Sequence, residues 1–479
     1  MDRPTALDLA FLDLETPQAP LHVGWTLRFD GAPPSLAGLR RHLDARLHAV
    51  PRFRRRLARP LLGAPCWVDD PGFDVAHHAF RVTLAAPGGE AELLDVAGAL
   101  LSQPLPAGRP LWRIYLVDGL RSGGFALVGQ AHHALVDGIA AVEVALLLFG
   151  DPEARGDDGC APGWAPQRAP SEGEAARTTL GARVRAATAT ALDLSRAALG
   201  TGAAGALRDA ARTVESFARP VSPTSLDRSA TAERAVAFAS VPFHTVREAG
   251  RRAGATVNDV LLAASTLALR AELRRRGDRP DTLRALVPIS VRADDPGALG
   301  NQISFLPVEL PVGEPDPARV LRVVRARTAA AKEGGDAGAL EAVARAAEAL
   351  SGSGRRLLTR AAVRAVGFNL VISNVPGPPI ELSLLGRPLV AIHPMVPLLH
   401  GHALSIGAVS YAGRLQLGLA ADAAVLPDVA ATARALEAAF DTLYRGEAPP
   451  RDGTGGTGGS GQTPWAARAR ARRQRAANR

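Results

Sequence analysis

Residues 125–149 read FALVGQAHHALVDGIAAVEVALLLF and combine an apolar run, a short polar stretch and a second apolar run. The first run is typical of a buried strand, and it leads directly into His132 and His133. Asp137 follows shortly after the histidines, and Gly138 then opens an apolar segment that predicts a helix. Because α/β proteins place reactive groups where strands end and loops begin, this stretch predicts a mixed α/β fold and locates its candidate site.

A neutral imidazole at a strand end is well suited to general-base chemistry, since its unperturbed pKa of about 6.5 lies close to neutral pH. A hydroxyl group does not ionise at that pH, so its proton must be taken up as the oxygen attacks. We assign His133 to this role. Asp137 is predicted to orient His133 by bonding the loop backbone or an arginine. For His132 two interpretations stay open, a structural residue or a member of the site.

A metal site and burial in the core compete with catalysis as roles for the histidine pair. A metal site is disfavoured, because adjacent residues of a strand point to opposite faces and no third His, Glu or Cys has a suitable spacing. Burial in the core is the usual fate of a lone histidine. The Asp137-Gly138 pair and the strand–loop–helix context favour a functional site over a purely structural pair.

The composition is that of a globular chain with a large core. Its 479 residues suit two domains, and the apolar fraction of 47% and the charged fraction of 22% are ordinary. Cys66 and Cys160 predict neither a disulfide framework nor a metal cluster. The start of the chain lacks the pattern of a secretory signal, and no apolar run approaches the roughly 18 residues of a spanning helix. We therefore expect a cytoplasmic protein that is soluble or peripheral to a membrane.

The formal net charge of +9 belongs mainly to the C-terminal tail. Residues 453–479 contain six arginines and no acidic residue, which leaves +3 for residues 1–452. Such a tail can bind nucleic acid or anionic lipid, or it can be a solvated terminus. Because the body of the chain carries no nucleic-acid recognition motif, no nucleic-acid partner is expected.

Changes in composition divide the chain into four parts. We predict an N-terminal α/β domain at residues 1–150, a linker and basic helical crossover at 151–233, a C-terminal α/β domain at 234–446 and a disordered tail at 447–479. The crossover is rich in Ala, Arg and Leu, which predicts a helix that packs on the body or lies on a membrane surface.

Several short motifs occur in a fixed order along the chain. They are LDLAFLDLETPQAPLHVGWTLRF at 7–29, Pro110-Leu111-Trp112, HHALVDG at 132–138, Asn258-Asp259, VPISVR at 287–292, Gly300-Asn301-Gln302 and SNVPGP at 373–378. In this set the chain resembles the bacterial wax ester synthase/diacylglycerol acyltransferase family over about residues 5–445. The HHxxxD element alone is shared with chloramphenicol acetyltransferases, plant BAHD acyltransferases and condensation domains, whereas the ordered set is much more specific.

The resemblance implies two chloramphenicol-acetyltransferase-like domains, each a mixed sheet with flanking helices, and an active-site tunnel at their interface. It implies transfer of a long-chain acyl group from acyl-CoA, a co-substrate, to diacylglycerol or a long-chain alcohol, with no cofactor. A location at the inner face of the membrane or on lipid inclusions is expected. Two alternatives stay open, namely a related enzyme that uses a carrier-protein thioester and a non-catalytic protein of the lipid-droplet surface.

The motifs also imply roles for individual residues. Asn258 is either a donor to the thioester oxyanion or the N-cap of a helix. Arg292 either pairs with Asp137 or lies on the surface, and Ser373 is a candidate substrate contact. Structural roles are implied for the remaining motif residues, Pro110, Leu111, Trp112, Asp259 and Asn301.

Overall fold

Two mixed β-sheets with helices packed around them form the framework of the protein, as seen in a computed structural model. The structure describes residues 3–61, 64–136, 138–150, 164–181, 184–185, 188, 221–229, 231–290, 303–333, 350 and 352–446. Most of the predicted crossover and the whole predicted tail at 447–479 lie outside these residues.

The first sheet holds the segment with the two histidines. Its strands are β1 (His22–Phe29), β4 (Ala79–Thr83), β5 (Trp112–Asp118), β6 (Phe125–His132), β11 (Ser383–Leu384) and β12 (Arg387–Met395). Within the described residues their order is β11-β12-β1-β6-β5-β4, and only β4 and β5 pair in parallel. A separate hairpin pairs β2 (Arg55–Ala58) with β3 (Cys66–Asp69). Strand β6 is central and buried along its whole length, as its apolar run predicts.

The second sheet is built from the C-terminal half of the chain. Its strands are β7 (Arg234–Pro242), β8 (Leu283–Ser290), β9 (Ile303–Leu310), β10 (Leu370–Val375), β13 (Leu404–Tyr411) and β14 (Arg414–Asp422). In the part of the chain that the structure describes, the order is β7-β14-β13-β10-β8-β9, with β10 parallel to both of its neighbours.

Helices cover the faces of both sheets. They are α1 (Ala6–Leu14), α2 (Leu36–Arg46), α3 (Glu90–Ser102), α4 (Gly138–Phe149), α5 (Phe243–Ala253), α6 (Val257–Arg275), α7 (Pro317–Glu333), α8 (Gly352–Ala365) and α9 (Val429–Arg445). Residues 172–181, within the predicted crossover, are also helical. Helix α1 begins with a capping box, in which Thr5 and Asp8 satisfy each other's backbone N–H groups.

Strand β12 joins the two halves of the molecule. It comes from within the predicted C-terminal domain, yet it pairs with β1 and so completes the first sheet. It also crosses over the second sheet, where Gly418 lies directly beneath Pro394. A Cβ atom at Gly418 would sit 1.9 Å from the Pro394 carbonyl oxygen, so only glycine permits this approach. The two halves are therefore connected by backbone hydrogen bonds between strands as well as by side-chain packing.

Candidate active site

The two histidines lie at the end of β6, where three chain segments meet. The backbone N–H of His132 donates to the Leu111 carbonyl at 2.9 Å, and that of His133 donates to the Leu21 carbonyl at 2.8 Å. Strand β1 is on one side of β6, and its residue opposite His132 is His22. Because each histidine is held by a different neighbouring segment, the position of both backbones is fixed by the first sheet.

The side chain of His132 is held inside the protein in one tautomer. Only 2% of the residue is exposed, and its Nδ1 accepts a hydrogen bond from the Ala134 backbone N–H at 3.0 Å. A backbone N–H can only donate, so Nδ1 carries no proton and the proton of the neutral ring is on Nε2. This geometry favours the structural interpretation of His132, because the nitrogen that would accept a proton is already occupied.

Glu15 faces His132 from the end of α1. One carboxylate oxygen lies 3.7 Å from Nε2 of His132, and the other lies 3.7 Å from Nε2 of His22. Both distances exceed a hydrogen bond and correspond to electrostatic contact. Burial raises the pKa of the Glu15 carboxyl, but the neighbouring His132 and His22 outweigh burial and hold that pKa below its usual value. Burial, together with nearby His132, lowers the pKa of His22 to about 3, so His22 is neutral at physiological pH.

The side chain of His133 has different surroundings. It is half-buried, and its ring stacks on Phe11 of α1 with centroids 4.0 Å apart. Phe11 belongs to an apolar group that joins the two halves of the molecule, made of Phe11, Leu21, Leu7, Leu14, Phe305 and Leu399. Phe305 and Leu399 also pack against a second group, Leu286, Val366, Phe368 and Val371. His133 therefore borders an apolar region that continues into the second sheet.

Helix α1, which carries Phe11, is anchored to α8 by a buried ion pair. The Arg355 guanidinium donates to the Asp13 carboxylate at 2.6 and 3.2 Å, and both side chains are almost fully buried. Arg360 adds a hydrogen bond to the Asp13 backbone carbonyl at 3.0 Å. The position of Phe11 against His133 thus depends on a contact between segments far apart in sequence.

The predicted Pro110-Leu111-Trp112 motif supports the strand before the histidines. Pro110 and Leu111 are buried, and the Leu111 carbonyl accepts from His132. The Trp112 indole N–H donates to the Phe53 carbonyl at 2.7 Å, and its ring stacks on His78. These contacts agree with a structural role for the motif.

Of the two roles left open for Asn258, the structure excludes the helix N-cap. Thr256 is the N-cap of α6, where its hydroxyl accepts from the Asp259 N–H while the Asp259 carboxylate accepts from the Thr256 N–H at 2.8 Å. Asp259 thus takes part in this capping box, and Asn258 lies half-buried at the second helical position. Its role as an oxyanion donor stays a prediction.

Ser373 lies half-buried on β10, just beyond the point where the pairing of that strand with β8 ends. Backbone pairing with β8 includes Leu370 and Val371 and then stops, while pairing with β13 continues to Val375. In the following turn, a Cβ atom at Gly377 would sit 1.7 Å from the Ser410 carbonyl oxygen, which explains the glycine of the SNVPGP motif. Substrate contact by Ser373 stays a prediction.

Three predicted residues, Asp137, Arg292 and Asn301, lie outside the described residues, while Gly138 is the first residue of α4. Among the residues that the structure describes, no group of three or more His, Cys, Asp or Glu side chains is arranged to hold a metal ion. Within the same ranges no helix combines the length and apolarity that crossing a bilayer requires.

Known proteins resemble this chain over nearly its whole length. The family model of the wax ester synthase/diacylglycerol acyltransferase catalytic domain matches residues 5–261, and that of the C-terminal domain of the same family matches residues 299–444. A probable diacylglycerol O-acyltransferase of Mycobacterium tuberculosis is 34% identical over 92% of this chain and 96% of its own length. The O-acyltransferase WSD of Acinetobacter baylyi is 29% identical over 88% of this chain and 92% of its own length.

Solved structures agree with these sequence matches. The wax ester synthase/diacylglycerol acyltransferase of Marinobacter aquaeolei VT8 superimposes with a TM-score of 0.64 at 25% identity, covering 91% of this chain and 97% of that one. The first condensation domain of the calcium-dependent antibiotic synthetase shares the fold, with a TM-score of 0.60 at 18% identity over 94% of this chain and 96% of that one.

The fold is mixed α/β with two sheet-and-helix units, and the relatives define the chain as an acyltransferase. The chain belongs to the wax ester synthase/diacylglycerol acyltransferase family. The predicted family, fold class and enzyme class are confirmed.

Proposed function

We propose that this protein transfers a long-chain fatty acyl group from acyl-CoA directly to the hydroxyl of diacylglycerol or of a long-chain alcohol. The names of the relatives support an acyl acceptor of this kind. The observation that carries the mechanism is the difference between the two histidines. His132 has its proton-accepting nitrogen occupied by Ala134, whereas His133 borders an apolar region.

In the proposed reaction His133 takes the proton from the acceptor hydroxyl as the oxygen attacks the thioester carbonyl. The tetrahedral intermediate then collapses, the carbon–sulfur bond breaks, and the coenzyme A thiolate takes the proton back from the imidazolium. The new ester bond forms without an acyl-enzyme. A general base of this kind contributes roughly 10²–10⁴-fold to the rate.

His132 and Glu15 act on His133 indirectly in this proposal. The Ala134 N–H and the Glu15 carboxylate hold the His132 ring, and the backbone of His132 positions the next residue. The negative charge of Glu15 also favours the imidazolium that forms nearby during the reaction. Asp137, Asn258 and Ser373 are proposed to orient the base, donate to the oxyanion and contact substrate, respectively.

The apolar groups beside His133 support long acyl chains as substrates. Phe11, Phe305 and Leu399 belong to packed apolar groups that continue from the histidine into the second sheet. Burial of a methylene group is favourable by about 0.8 kcal/mol, so contact with such groups favours long chains over short ones. Because its substrates partition into bilayers, we further propose that the enzyme associates peripherally with the membrane or with lipid inclusions.

The test is an assay of the purified protein with palmitoyl-CoA, in which diacylglycerol and hexadecanol are offered separately. Thiol release and product lipids are both followed. We expect ester with at least one acceptor, a loss of roughly 10²–10⁴-fold in His133→Ala, and full activity in His244→Ala, which replaces an exposed histidine on α5. Undiminished turnover in His133→Ala would overturn the mechanism.

The same assay separates the alternatives. An enzyme that takes its acyl group from a carrier protein would release little thiol from palmitoyl-CoA, and an acylated carrier protein would restore ester formation. A non-catalytic lipid-surface protein would bind lipid without forming ester with either donor.

A further inference from the structure

Helix α8 presents a basic face to solvent. After Gly352 at its start, the helix residues described as exposed recur at intervals of three or four and so share one side of the helix; they are Ser353, Arg356, Leu357, Arg360, Ala361 and Arg364. The helix contains no acidic residue, and Leu357 projects from the middle of the face with 74% of its surface exposed. Three arginines and one exposed leucine thus share a single helical face.

The opposite side of α8 packs on the apolar region beside the active site. Arg355 is buried in the ion pair with Asp13 of α1, and Val363 packs against the group that contains Val366 and Phe368. That group shares Phe305 and Leu399 with the residues around Phe11, which stacks on His133. Helix α8 therefore has one face exposed to solvent and another that packs on the apolar groups next to Phe11 and His133.

We propose that the exposed face of α8 is a docking surface for an anionic bilayer, an inference that rests on the proposed transfer to a lipid acceptor. A helix that lies in a bilayer interface combines basic residues with an apolar residue that inserts between headgroups. Charge complementarity favours an anionic surface, because α8 contains no acidic residue, and the one nearby carboxylate that the structure describes beside Arg356, Asp13 of α1, is already paired with Arg355. Docking of this face on a bilayer brings the source of neutral lipid next to the apolar groups beside His133.

Two substitutions test this surface while keeping the main anchor of α1. The double variant Arg356→Gln/Arg364→Gln removes two positive charges from this face. Of the two arginines, Arg356 lies 3.8 Å from the Asp13 carboxylate. The shorter bonds from Arg355 and Arg360 to Asp13 remain. The matched control is Arg319→Gln/Arg322→Gln, which removes two exposed charges from α7. A separate variant, Leu357→Glu, probes insertion at a position too exposed to affect the core.

Binding of the full-length variants is measured by sedimentation with phosphatidylcholine vesicles that do or do not contain phosphatidylglycerol. Each basic residue near such a surface contributes roughly fivefold, so we expect the α8 pair to lose roughly 25-fold in partitioning to anionic vesicles. Leu357→Glu should also lose binding, and the α7 pair should bind like the unaltered protein. Three results would each overturn the inference. They are unchanged binding in both α8 variants, an equal loss of binding in the α7 control, and a complete loss of binding when only the six tail arginines are replaced.

Acyl transfer in the same samples separates failure of the inference from failure of the proposed function. Thiol release from palmitoyl-CoA is followed with a short water-soluble alcohol and with diacylglycerol in anionic vesicles. We expect the α8 variants to lose rate only with the vesicle acceptor. Absence of thiol release with every acceptor contradicts the proposed function, while the vesicle-binding result still decides the docking surface.

Discussion

The rings of Phe11 and His133 lie face to face, with centroids 4.0 Å apart and planes inclined by 17°. Phe11 belongs to α1 and His133 follows β6, so the contact joins the first helix of the chain to the candidate base. Stacking of this kind restricts rotation of the imidazole and excludes water from one of its faces.

Phe11→Leu is expected to lower kcat for acyl transfer by about two- to tenfold, since an aromatic contact contributes about 0.5–1.5 kcal/mol beyond its buried area. KM for palmitoyl-CoA should change little, because leucine keeps this position apolar. Steady-state kinetics on the purified variant provides the measurement. Phe80→Leu removes a comparable stack on Tyr115 away from the site and serves as the control. Equal losses in the two variants would mean that the Phe11 effect is general destabilisation.

Glu15→Gln is expected to lower kcat by about tenfold through loss of the charge that faces His132. The pKa of Glu15 is held below its usual value, so the carboxylate is ionised at neutral pH. The ratio of the two kcat values should therefore stay constant between about pH 6 and pH 9 and fall only in more acidic solution. Glu248→Gln, which removes a half-buried carboxylate paired with Arg251 on α5, should behave like the unaltered enzyme. A ratio that varies through neutral pH would contradict the assignment.

Acid is expected to destabilise the fold through its buried histidines. Burial lowers the pKa of His22 and His393 to about 3 and that of His42 and His78 to about 4. Below about pH 6.5 the unfolded chain takes up protons on these side chains while the folded chain does not. Their contribution to stability is therefore complete above pH 6.5 and decreases as the pH falls towards 4.

Each such histidine contributes about 1.4 kcal/mol per pH unit to that slope. Urea unfolding at a series of pH values should thus show that the free energy of unfolding depends less steeply on pH in His393→Gln than in the unaltered protein. Glutamine keeps a donor for the Leu417 carbonyl. His244→Gln, at an exposed position, should leave the slope unchanged. An identical slope in all three proteins would refute this account.

Asp13→Asn is expected to reduce the free energy of unfolding by about 3 kcal/mol, because it leaves the Arg355 guanidinium buried without its charged partner. Replacing both residues, as in Asp13→Leu/Arg355→Met, should recover much of the loss, since it removes the uncompensated charge. Urea unfolding of the single and double variants measures this coupling. Additive losses in the double variant would argue against a coupled pair.

The local features of the site were predictable from sequence, whereas its long-range contacts were not. The apolar run before His132 and the apolar segment after Gly138 specify strand β6 and helix α4 because each pattern is contained in one element. The contact of Glu15 with His132 was not predicted, because the two residues come close only through the pairing of β1 with β6. The choice between the two roles of Asn258 could have been narrowed from sequence, since Thr256 followed three residues later by Asp259 is the pattern of a capping box.

The position of β12 in the first sheet also determines when that sheet can be completed during synthesis. A ribosome makes β1 and β6 long before it reaches residues 387–395, so one edge of β1 has no partner while most of the chain is being translated. An unpaired edge of this kind is a site of misassociation for nascent chains. The N-terminal half expressed alone should therefore aggregate. A truncation that removes β12 should also prevent the half that carries the first sheet from folding correctly.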